Sequence, residues 1–134
     1  MTTTSIETNP APRRIGAWTL QAVVAAAFIA AGVAKLAAAP FMVQIFAQIG
    51  FGQWFRVVTG LVEIAGAVAL VYPRLASFGA LWLGITMFFA VLTHVFILHS
   101  NPAAAVVLGL LNTLIVYLRR DELASIVLTI IGKA

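Results

Sequence analysis

Cysteine is absent from this 134-residue chain and charge is scarce, at 9% of residues against 63% hydrophobic. The first absence excludes disulfides, thiolate nucleophiles and cysteine-ligated metals. The second excludes an ordinary soluble surface, because a water-soluble domain of this size is about a quarter charged. Long hydrophobic runs take the place of both, with a mean hydropathy of +1.08, so the bilayer is the expected solvent. Also missing are a Gly-rich phosphate loop, a nucleophile elbow and paired carboxylates, so no catalytic residue is assigned and no enzyme is expected. Only two histidines occur. His94 and His99 stand five apart in one apolar run and point to different faces, so neither a metal site nor a cofactor is expected. The length allows one compact unit.

What remains divides into apolar segments separated by turn residues. Residues 1–14, rich in Thr, Ser, Asn and Pro, read as a disordered tail. The apolar run after Arg13 and Arg14 is too long for a signal peptide's hydrophobic region and reads as a retained anchor. Residues 15–120 read as a four-helix transmembrane domain with spans at about 17–38, 54–72, 75–98 and 103–118. Trp18 opens the first span at the interface. Pro40 to Ile49 is too short to cross and reads as an interfacial or re-entrant helix, with Gln44 and Gln48 on one face. Pro73–Arg74 and Ser100–Asn101–Pro102 make the later turns. Residues 121–134 place Asp121, Ser125, Thr129 and Lys133 at four-residue spacing. That single polar stripe reads as an amphipathic helix on the membrane surface. The expected fold class is therefore an all-α membrane bundle.

The formal charge of +4 rests on eight basic residues. They stand in short clusters beside apolar runs, the pattern of topology determinants and not of a nucleic-acid surface. Arg13, Arg14, Arg74, Arg119 and Arg120 fall on one side, and only Lys35 and Arg56 lie near the other. The positive-inside rule then expects a multi-pass protein of the cell membrane with both termini in the cytoplasm.

Ionisable groups within the spans are the candidates for function, because a lone charge there costs several kcal/mol. Lys35, Arg56, Glu63 and His94 qualify, and the expected topology gathers them in the outer half of the bundle. Glu63 lies about 10 Å below Arg56 by helical rise. Both share a face with Thr59, Gly60, Gly66 and Ala67, whose small side chains let another helix approach. Ala76, Ala80 and Gly84 form a second close-packing face, and Asn112 is expected to hydrogen-bond between helices. Three readings of the cluster follow. Glu63 pairs with Lys35 or Arg56 and fixes register; or Lys35, Arg56, Glu63, His94, Thr59, Gln44 and Gln48 line a polar pocket; or Glu63 and His94 relay protons.

Several strings occur together: GVAKL at Gly32 to Leu36, Pro40, the Phe46–Gly50 spacing, W-F-R at Trp54 to Arg56, and G-x-x-E-x-x-G-A at Gly60 to Ala67. Leu70, Pro73–Arg74, the Met87–Ala90–His94 series and Arg119–Arg120 complete the order. The chain resembles the DoxX-like family of small bacterial four-helix membrane proteins, over about residues 17–120. The resemblance implies a four-helix membrane bundle and brings Lys35 and Glu63 forward as a characteristic polar pair. It also implies membrane-associated redox assemblies as a setting, so the leading expectation is a non-catalytic subunit or scaffold. Such a protein would pack against itself as a homo-oligomer or against redox partner subunits. The alternative is an accessory protein binding quinone or another lipophilic ligand around Glu63. A small-solute or proton transporter is the third expectation, though no repeat of broken helices is evident.

Overall fold

The computed structural model describes residues 10–132 and is entirely helical among them, apart from the short turns between helices. Six helices follow in order: α1 (Pro10–Leu36), α2 (Pro40–Ile49), α3 (Gln53–Val71), α4 (Ala76–Phe96), α5 (Ala103–Leu118) and α6 (Arg120–Gly132). Of the expected tail, residues 1–9 lie outside the described residues, and Pro10 to Arg14 already belong to α1. Proline is tolerated in a first helical turn, where its missing N–H would have no partner. Lys133, expected on the C-terminal polar stripe, also lies outside the described residues.

Three segments, Pro12–Leu36, Gln53–Val71 and Ala76–Phe96, are long and apolar enough to cross a membrane. At 16 residues α5 is the short member, about 24 Å against a hydrocarbon core of roughly 30 Å. Together α5 and α6 have the length and apolarity of a crossing, but a 71° bend separates them.

Helices α1, α3, α4 and α5 form a closed ring in which each packs on the next and α5 returns to α1. Val24, Phe28, Ala67, Leu70, Ala80, Leu83, Met87 and Ile115 fill its centre. Large apolar residues such as Leu61, Val68, Phe88, Phe96 and Leu110 face outward, as a lipid-facing surface requires. In lipid there is little hydrophobic drive between helices, so the ring depends on close packing and polar ties.

The close packing is local. Helix α1 meets α3 at Gly32 and Gly60. A Cβ on Gly32 would lie 2.9 Å from the Gly60 carbonyl oxygen, and one on Gly60 would lie 3.1 Å from the Gly32 carbonyl oxygen. Helix α3 meets α4 at Gly66 and Gly79, where a Cβ on Gly79 would lie 2.7 Å from the Leu70 backbone nitrogen. Ala67, Ala76 and Ala80 are buried beside this second crossing. Gly84 is a looser contact, since a Cβ there would lie 3.6 Å from Asn112 Cβ.

Asn112 differs from expectation. Its amide donates to the Leu108 carbonyl of its own helix at 2.8 Å, and its Oδ1 is buried without a partner among the described residues. The carbonyl four positions earlier in a helix is always within reach of such a side chain.

Candidate functional site

Two polar clusters occupy opposite ends of the ring. At the end where α1 stops and α3 starts, Lys35 Nζ donates to Glu63 Oε2 at 2.8 Å, with both residues buried. Lys35 stands in the last turn of α1, where the helix dipole favours a cation. The Gly32–Gly60 crossing brings α1 and α3 close enough for the pair to meet from positions 28 apart. Thus Lys35, and not Arg56, is the partner of Glu63.

Arg56 has other work. Its guanidinium donates to the Lys35 carbonyl oxygen and, through Nε, to Gln53 Oε1 at 2.7 Å. The Lys35 carbonyl is among the last of α1 and also accepts from the Ala38 N–H at 3.2 Å, so Arg56 adds a second donor at that terminus. Gln53 Nε2 donates in turn to the Val43 carbonyl at 3.1 Å, tying α2 to the start of α3.

Beside the ion pair lies a cavity of about 480 Å³, bounded by α1 to α5. Lys35 and Glu63 supply its charged wall, with Thr59 one turn away; Thr86, Thr93 and His94 add polar atoms from α4. The three threonine hydroxyls donate to the carbonyl oxygens of Phe55, Trp82 and Phe89, four residues back, which leaves their oxygens free to accept. His94 Nδ1 is 2.8 Å from Ser100 Oγ, across the turn that ends α4. The rest of the lining is apolar, including Phe28, Val58, Ile85, Phe89 and Leu108.

Of the residues expected to line a polar pocket, Lys35, Glu63, Thr59 and His94 do so, and Arg56 stands behind them. Gln44 and Gln48 do not: both are exposed on the far side of α2, and Met42, Ile45, Phe46 and Ile49 face the cavity instead. The three- and four-residue spacing of those four makes one apolar stripe. Helix α2 turns that stripe toward the cavity and its two amides away from it. Gly50 ends α2 in the left-handed region, at φ +87°, and donates its N–H to the Phe46 carbonyl at 3.2 Å.

The second cluster has little signature in the sequence. Gln21, fully buried in α1, donates to the Leu70 carbonyl at 2.8 Å and accepts from Arg119 Nε at 2.9 Å. The Arg119 guanidinium lies over the Trp18 ring, 5.2 Å from its centroid, which accounts for a terminal nitrogen buried without a hydrogen bond. Arg13 donates to the Leu118 carbonyl at 3.1 Å. Glu122 Oε1 accepts from both the backbone N–H and the hydroxyl of Ser77, each at 3.1 Å. Of the arginines expected to set topology, Arg13 and Arg119 are therefore also internal ties, and Arg120 stacks on Tyr117 at 4.6 Å. Arg14 and Arg74 are exposed. A glutamine inside the first apolar span is the one signal that points to this cluster.

Among the described residues no group of three or more His, Cys, Asp or Glu is placed to hold a metal. A curated Bacillus subtilis (strain 168) protein described as uncharacterized, YdgD, is 38% identical over 55 residues, which are 39% of this chain and 48% of that protein. The chain thus spans about half the length of that relative. No solved structure matches. The DoxX-like family matches residues 19–119, from the start of the first span to the arginine that ties α5 to α1. With its helices long and apolar enough to cross a bilayer, this chain is a membrane protein of the DoxX-like family.

Proposed function

We propose that this protein binds a small lipophilic molecule inside its helix bundle and serves a membrane-associated assembly as an accessory component, not as its catalyst. The observation that carries this reading is the cavity of about 480 Å³, apolar over most of its wall, with the Lys35–Glu63 pair at one side. Ligand sites are typically apolar clefts of roughly 300–1,000 Å³ with a few placed polar groups. A quinone, with its apolar body and carbonyl acceptors, is one molecule of the right chemistry.

The scaffold reading draws on small-residue faces available to partners. Gly60, Gly66, Ala67, Ala76 and Ala80 are instead occupied within the chain's own ring, and this favours the ligand over the scaffold. A proton relay would use Glu63 and His94, but the Glu63 carboxylate is engaged by Lys35, and His94 by Ser100.

Native mass spectrometry of gently extracted protein tests the proposal. A co-purifying small lipophile is expected, absent from Glu63→Ala and from Ala90→Phe, which fills the cavity without touching the ion pair. Finding none bound to the unaltered protein overturns the proposal.

A further inference from the structure

Helix α3 makes its two tight crossings at opposite ends. It meets α1 through Gly60, at the level of the ion pair, and α4 through Gly66, toward the turn at residues 72–75. It therefore leans toward α1 where it passes the cavity and parts from α4 there. Trp82 Nε1 donates to the Val62 carbonyl at 3.2 Å, the last polar tie between α3 and α4 before the cavity. Beyond it, Val58 on α3 and Ile85 on α4 each line the cavity and are each exposed, at 43% and 51%. Residues that line a cavity and keep this much exposed surface mark the rim of an opening. At the end where α1 stops and α3 starts, α2 lies over the cavity and buries Phe46 against it.

We infer that the cavity is loaded sideways from the bilayer, through a slot between Val58 of α3 and Ile85 of α4, by an uncharged lipid-soluble molecule with a hydrogen-bonding head. This rests on the ligand-binding reading and adds the route and the charge of the ligand. The charge follows from the wall. Lys35 and Glu63 neutralise one another at 2.8 Å, so an anionic head would have to take Lys35 and leave Glu63 buried and unpaired. A neutral head can accept from the ammonium or donate to the carboxylate with the pair intact. The aliphatic rim suits a molecule that arrives dissolved among acyl chains.

The chain has no cysteine, so Val58→Cys with Ile85→Cys introduces the only two thiols, which a short bismaleimide can join across the slot. The probe is a diazirine-bearing long-chain alcohol in phosphatidylcholine vesicles holding the full chain, with labelled peptides mapped by mass spectrometry. Labelling is expected on the segments around Thr59 and Thr86. Linking before the probe is added should abolish it. Linking after loading should hold the probe through a chase with unlabelled alcohol. Ile85→Trp, which narrows the rim without a linker, should slow loading. Labelling that is the same whatever the order of linking overturns the lateral route and leaves the binding reading standing. Equal labelling by the matching carboxylic acid overturns the uncharged class. No labelling of the unaltered chain overturns the binding reading and the route with it.

Discussion

The two ends of the ring are held by different chemistry. At the arginine end, Gln21, Arg119, Arg13 and Glu122 run hydrogen bonds from one helix to another, three of them involving backbone groups. The Gly66–Gly79 crossing draws α3 onto α4 at the same end. At the far end one ion pair and one arginine–carbonyl tie join α1 to α3, and nothing of the kind joins α3 to α4 beyond Trp82 among the described residues. In water, collapse would close the gap that this leaves. In lipid the tails solvate apolar faces as well as leucine does, so helices stay apart wherever ties and small residues are lacking. A tight base and a gap between α3 and α4 at the far end are consequences of where the sequence spends its few polar side chains.

The largest expected effect comes from breaking the one strong tie at the open end. Glu63→Gln leaves Lys35 buried without its counter-ion and should cost about 3–5 kcal/mol, whereas Lys35→Met with Glu63→Gln should be nearly neutral. Thermal unfolding in detergent micelles reads both. If the single substitution costs no more than the double, the ion pair is solvated through the cavity, and the open end owes little of its stability to it.

A second substitution tests the base. Gly79→Ala places a methyl 2.7 Å from the Leu70 nitrogen and 2.9 Å from the Gly66 carbonyl oxygen. Backbone atoms at a helix crossing cannot move singly, so the helices must part, at a cost of about 1–3 kcal/mol. Gly84→Ala is the control, because its nearest neighbour is 3.6 Å away. Equal melting temperatures for the two variants would mean that the α3–α4 crossing is not what closes the base.

The open end is the more legible in the sequence, and the reason is dielectric. A charge in an apolar run announces itself, so Lys35, Glu63 and His94 stand out whatever their partners are. The breaks at Pro40, Gly50, Pro73 and Pro102 place the helices to within a few residues, except that α1 begins earlier than the interface residue Trp18 suggests. The faces of the short helix are harder. Gln44 and Gln48 share a stripe with either orientation of α2, and only the apolar cavity beneath decides which stripe turns inward. The arginine end is least legible, since Gln21 and Arg119 are 98 positions apart and an arginine beside a span reads as a topology signal whether or not it is an internal tie. Gly32 and Gly79 carry no mark of their own in the sequence, because the depth of a crossing depends on which glycine faces which.

The smallest effect concerns how α6 is attached. Ser77 is the second residue of α4, and its N–H is one of the donors a helix N-terminus leaves without an intrahelical partner. Glu122, from another helix, accepts it together with the Ser77 hydroxyl. This is N-capping carried out between helices, and Glu122→Ala should cost about 1 kcal/mol, the usual value of a lost cap. Glu122→Gln keeps an acceptor oxygen and should lose less. Global melting will barely register either change, but hydrogen exchange will. Beyond this tie none of α6 is buried, so Glu122→Ala should raise exchange at Ser77 and along α6 while α1 and α3 stay protected. Unchanged exchange in α6 would show that its exposed Leu128, Ile130 and Ile131, held in the membrane surface, fix the helix without help from the base.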